Sequence, residues 1–160
     1  MPCSGESLTE VKAGGASSRH PAPMQTALLP PHQAMAMSLD AVAEAGVDIV
    51  PVYFERFFAQ QPADSAMFHN RAASQGAMVG EMLTMLLAQA AGEEWVPMMM
   101  RAQVATHWDH GPIALERYRN ALDLLVDVLA ETAGALWLPE YEAAWRGQVK
   151  RMFALIARVY

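Results

Sequence analysis

Cysteine is almost absent from this sequence. The only one is Cys3, so neither an internal disulfide nor a thiolate metal cluster can form. Positive charge is scarce too: 11 lysines and arginines stand against 17 aspartates and glutamates, a formal net charge of -6. Nucleic-acid binding needs a basic stripe, and its absence sets that class of partner aside. No apolar run approaches the roughly 18 residues that suggest a membrane span, so no membrane partner is expected. The opening residues lack an apolar signal-peptide core, since Ser4-Gly5-Glu6-Ser7 and Gly14-Gly15-Ala16-Ser17-Ser18 are polar or small. A reducing, cytoplasmic setting is the default expectation. Regular two-residue alternation and Asn-Gly turns are missing, which argues against strands and hairpins.

What is present is apolar and helical. Hydrophobic residues make up 53% of the 160, and 12 are methionine, an adaptable, unbranched apolar side chain. Prolines at 2, 21, 23, 30 and 31, with many glycines and serines, mark residues 1–32 as a flexible tail. His20 and His32 lie in or beside it and carry no chemistry. Residues 33–160 then form one domain, long enough at roughly 125 residues to bury a core without disulfides.

Apolar residues recur at steps of three and four over 33–45 (Met35, Leu39, Val42) and from about 47 to 61 (Ile49, Val52, Phe57, Phe58). A short helical turn is expected over 63–67. The long stretch 71–90 carries Val79, Met82, Leu83, Leu86 and Ala90 on one stripe, and Met100 and Val104 lead to His107 in a helix over 94–107. Gly111-Pro112 is a stop followed by a helix start, giving helices over 113–133 and about 139–159. The class is all-α, with six or seven helices packed as an irregular bundle.

His107 is the one candidate for chemistry. Taken alone, it is more readily a core histidine bonded to a backbone carbonyl than a metal ligand. His110 stands three residues on, yet Gly111-Pro112 puts it in or near a turn, and two ligands do not complete a zinc site. One histidine beside a large apolar cavity is instead what haem requires, because the porphyrin supplies four ligands.

The order and spacing of several residues resemble globins. Val52-Tyr53-Phe54-Glu55-Arg56-Phe57-Phe58-Ala59-Gln60-Gln61-Pro62 is similar to the end of the globin B helix and its corner. Phe68, six residues after Pro62, resembles the phenylalanine that packs flat on the haem. His107 followed by Gly111, Ile113 and Tyr118 resembles the end of helix F, its corner and the start of helix G, and Ala144-Trp145 resembles helix H of bacterial globins. The resemblance covers about residues 33–160, with helix D missing or short. It implies a three-over-three globin bundle, haem b as cofactor, His107 as proximal iron ligand, and reversible binding of dioxygen, carbon monoxide or nitric oxide. The second ring nitrogen of His107 is then expected to donate to a carbonyl one turn earlier.

On the distal side the resemblance points to Gln75, 32 residues before His107, with Val79 the next inward residue; a slip of one turn substitutes Met78. The helix-B position facing the ligand, commonly tyrosine, falls on Phe54 with Tyr53 beside it. Tyr118 matches a tyrosine that, with a late helix-H glutamate, polarises the proximal histidine in flavohaemoglobins. That glutamate's place falls at or near Tyr160, which puts a peroxidase-like electron push on the proximal histidine in doubt. No flavin or nicotinamide domain follows in the sequence, so nitric oxide dioxygenase activity would need a separate reductase. His69, beside Phe68, is expected in a solvated loop. The alternative function is a haem-free module that forms a homodimer through two helices, with Met98-Met99-Met100 available for contacts.

Overall fold

Pro31 opens the first helix of the computed structural model, which describes residues 29–68, 71–109 and 111–160. The missing N–H of a proline costs nothing where an amide has no helical partner, and its fixed φ suits a first turn. Helix α1 (Pro31–Glu44) therefore starts inside the segment read as tail. Residues 1–28 with Cys3 and His20, and also His69 and His110, lie outside the described residues. Asp48 caps α2 (Ile49–Gln60), its carboxylate accepting from the Val50 amide at 3.0 Å.

A 3-10 turn over Pro62–Met67 leads to α3 (Arg71–Ala91). Gly92, at φ 81°, ends α3: its amide and that of Glu93 donate to the carbonyls of Gln89 and Ala88 at 3.1 and 3.0 Å. Helices α4 (Val96–Asp109), α5 (Leu115–Ala133) and α6 (Pro139–Val159) complete an all-α bundle of six helices, with no strand among the described residues. No helix among them is long and apolar enough to cross a membrane.

The boundaries of α4 and α5 also differ from the sequence expectation. α4 starts at Val96, because residues 94–95 are spent in the turn after Gly92, and it runs on to Asp109. His107 therefore sits within the last turn of α4. α5 starts at Leu115 because Gly111 (φ 121°) precedes a proline and Ala114 has ψ 138°, which keeps 111–114 out of the helix.

The core lies between α5 and α6, with α1 resting on both, α2 on α5, and α3 and α4 each on α6. Trp145 of α6 is fully buried, and its indole N–H donates to Ser38 Oγ at 2.7 Å. The Ser38 hydroxyl in turn donates to the Met35 carbonyl at 2.6 Å, so this buried polar set is satisfied. On the far side Arg146 joins α6 to α5. Burial opposes its charge, but hydrogen bonds to Glu142, Asp127 and Asp123 prevail and hold its pKa above the ordinary arginine value.

Candidate functional site

Ser74, Ala77, Met78, Glu81, Met82 and Met85 recur at steps of three and four, so they share one face of α3. Met100, Gln103 and His107 do the same on α4. These faces line a half-open cavity of about 660 Å³, completed by Phe57 and Phe68, by Tyr118, Ala121 and Leu122 of α5, by Met152 and Ile156 of α6, and by Ile113 at the corner. The volume lies within the roughly 300–1,000 Å³ typical of small-molecule and cofactor pockets. Five of its lining side chains are thioethers: Met78, Met82, Met85, Met100 and Met152. They give an apolar wall that adapts to the shape of a guest.

His107 is the basic group in this wall. Its Nδ1 lies 2.8 Å from the Gln103 carbonyl oxygen, four residues earlier. A carbonyl only accepts, so Nδ1 carries a proton, and in the neutral tautomer this contact selects the lone pair is on Nε2. Tyr118 meets the imidazole edge-on, with centroids 5.4 Å apart and planes at 85°. Burial, then the neighbouring Tyr160, pushes the Tyr118 pKa up and keeps the phenol neutral. Gln103 also acts through its side chain, whose amide donates to Glu81 and so ties α4 to α3 at the cavity edge.

His107, Phe68, Met78, Ile113 and Tyr118 therefore meet around one cavity. Gln75, Val79, Phe54 and Tyr53 are not among its lining residues. Gln75 is half-buried and Val79 fully buried, on the strip of α3 beside the cavity face. Phe54 stands behind Phe68, ring edge to ring face at 5.0 Å, within a cluster that includes Phe57 and Phe58. Tyr53 is fully buried; its hydroxyl donates to the Ala121 carbonyl at 3.1 Å and touches Met82 Sδ at 3.9 Å. Burial raises its pKa far above the ordinary phenol value. Both of its partners line the cavity, so this hydroxyl sits just behind the wall.

Sequence reasoning missed Asp64, Glu81 and Gln103, and treated Met82 only as part of an apolar stripe. The phase of α3 from Met78 would have found Glu81, Met82 and Met85. Asp64 had no such signal. It is buried after the 3-10 turn begins, accepts from Arg117 at 3.1 Å, and the same guanidinium donates to Gln61 at 2.7 Å. This clamp joins the corner that carries Phe68 to the start of α5.

Among the described residues, no group of three or more histidine, cysteine, aspartate or glutamate side chains comes together to hold a metal ion. The cavity instead offers one oriented imidazole and a wide apolar space, a donor set that suits a flat cofactor bringing its own ligands. No known family model, curated protein or solved structure matches the chain.

Proposed function

We propose that this chain is a haem protein of globin type that binds dioxygen, carbon monoxide or nitric oxide. The cavity between α3 and α4 would hold haem b, and His107 is the residue that would coordinate its iron. The observation that carries this reading is the Nδ1 contact with Gln103, which leaves the other imidazole nitrogen free to coordinate from a mostly apolar wall. A porphyrin needs only one strong protein ligand.

The other residues fit such a guest. Phe68 and five methionines supply flat and adaptable apolar contacts. The two carboxylates at the site are already engaged, Asp64 by Arg117 and Glu81 by Gln103, so neither needs a ligand to satisfy it. Bound haem would supply the iron that holds the gas; the chain supplies the imidazole, the dry space and the closure by Ile113 and Tyr118. Roles in oxygen storage or delivery fit this arrangement, as does nitric oxide removal with a separate reductase.

An optical spectrum of the purified protein after haem addition tests the reading, in the ferrous state with and without carbon monoxide. A Soret band that shifts with carbon monoxide and is lost or displaced in His107→Ala is expected. No band, or a band indifferent to His107→Ala, refutes it. A haem-free module that self-associates is the second reading, favoured by the exposure of Trp95, Met98 and Met99 at the start of α4. It predicts dimers in protein free of haem, and their loss in Met98→Lys.

A further inference from the structure

Three aromatic rings lead away from His107 to the surface. Tyr118 meets His107 edge-on at 5.4 Å, Tyr160 meets Tyr118 edge-on at 6.4 Å, and Trp108 lies tilted on Tyr160 at 5.5 Å between centroids. Centroid separations of about 4.5–7 Å are those of rings in contact. Tyr118 lines the cavity, whereas Tyr160 and Trp108 are 43% and 46% exposed. The rings come from three elements, the last turn of α4, the start of α5 and the residue after α6, so the chain of contacts is a product of the fold.

Tyrosine and tryptophan are the aromatic side chains that give up one electron most readily, and electron transfer between rings slows steeply as the gap widens. A second aromatic cluster packs behind Phe68, but it is built mostly of phenylalanines. Phenylalanine holds its electrons too tightly to relay them. Among the described residues, the run through Tyr118 is thus the one set of contacting, oxidisable rings that joins the cavity wall to solvent.

We propose that Tyr118, Tyr160 and Trp108 form an electron relay, through which a one-electron reductant at the surface supplies an oxidised group in the cavity. The proposal rests on the haem reading and adds to it a route for electrons and a place for their donor. When Tyr118 gives one electron to the cavity, its phenol loses a proton and becomes a neutral radical. An electron from Tyr160, with a proton returned, restores the phenol, and Trp108 can refill Tyr160 in turn. The exposed ring is refilled by the reductant, which is oxidised by one electron. With hydrogen peroxide as oxidant, two such passages and two protons from solvent turn one peroxide into two waters. Two molecules of reductant are oxidised in the process.

The test uses the full chain loaded with haem, hydrogen peroxide as oxidant, a nitroso spin trap, and ferrocyanide as reductant. Peptide mass spectrometry locates the trapped radicals. Wild type is expected to carry adducts on Trp108 and Tyr160 and to oxidise ferrocyanide. The double variant Trp108→Phe, Tyr160→Phe is expected to keep its Soret band, lose those adducts and oxidise ferrocyanide several-fold more slowly. Tyr118→Phe is the sharper variant: both surface rings remain, yet their adducts disappear because the inner step is broken. Adducts elsewhere in wild type, or surface adducts unchanged in Tyr118→Phe with a normal Soret band, overturn the relay alone. Absence of a Soret band in wild type overturns the haem reading and the relay with it.

Discussion

On the haem reading proposed above, the rotation of α3 makes a sharp prediction about which side chain meets the gas. Met78 lines the cavity, whereas Gln75 lies on the adjoining strip, nearly one turn earlier. Tyr53 is unavailable as a donor, because its hydroxyl is spent on the Ala121 carbonyl. Met78→Gln places an amide where the wall now has a thioether, in a side chain of similar length. One hydrogen bond to bound dioxygen contributes about 0.5–1.5 kcal/mol net. At about 1.4 kcal/mol per factor of ten, dioxygen dissociation should slow roughly 2- to 12-fold. Carbon monoxide carries little charge to accept the bond, so its dissociation should change far less. Gln75→Leu should alter neither. Stopped-flow displacement of dioxygen by carbon monoxide, run on the three proteins, reads the rates directly. A larger effect from Gln75→Leu than from Met78→Gln refutes the assigned rotation of α3.

Two stability predictions rest on contacts outside the cavity. Ser38→Ala leaves the buried Trp145 indole N–H without its acceptor. It should cost about 1–3 kcal/mol, or about 2–4 °C of melting temperature per kcal/mol in a chain of this size. Adding Trp145→Phe removes the orphaned donor, so the double variant should lose less than the sum of the singles; strict additivity in urea denaturation refutes the coupling. The Arg56–Glu131 pair makes a pH prediction. Its hydrogen bond to Arg56 holds the Glu131 carboxyl below the usual carboxylate range. The pair therefore contributes above the unfolded carboxylate pKa, and its contribution fades as pH falls through the lower folded value. Glu131→Gln should weaken the fold slightly at neutral pH and not at all in acid. A difference that persists unchanged into acid counts against this assignment.

Helix content was legible in the sequence because it depends on local pattern. The steps of three and four in α3, α5 and α6, and the glycine stops at Gly92 and Gly134, are short-range signals, whereas Pro31, read as tail, opens α1. The cavity wall was legible only in part. His107, Phe68, Ile113 and Tyr118 could be named because the resemblance to globins picks out residues at element ends and corners in that order. Gln75 against Met78 could not be decided, since three residues of helix turn the side chain by about 300°, about 60° short of a full turn, so the two fall on adjoining strips. Nor could Asp64 be seen to pair with Arg117, 53 residues away, because only the folded chain brings them together. Phe54 and Tyr53 both face inward, so hydropathy could not tell the cavity wall from the layer behind it.

Gln103 adds a link that no spacing rule would suggest. Its carbonyl fixes the His107 ring while its side chain holds Glu81 on the facing helix. Helix α4 buries only Val96, Met100 and Val104, far fewer side chains than α5, so little packing holds it. Segments with few buried contacts open at low free energy, and a single exposed tether then matters. Glu81→Ala removes that tether and should lower the local opening free energy by about 0.5–1.5 kcal/mol. Amide hydrogen exchange over residues 100–107 should accelerate roughly 2- to 12-fold, with α5 unchanged. Exchange in α4 that is indifferent to Glu81→Ala would mean that α4 is held by its packing on α6 alone, and that a shift in α3 has no route through Gln103 to His107.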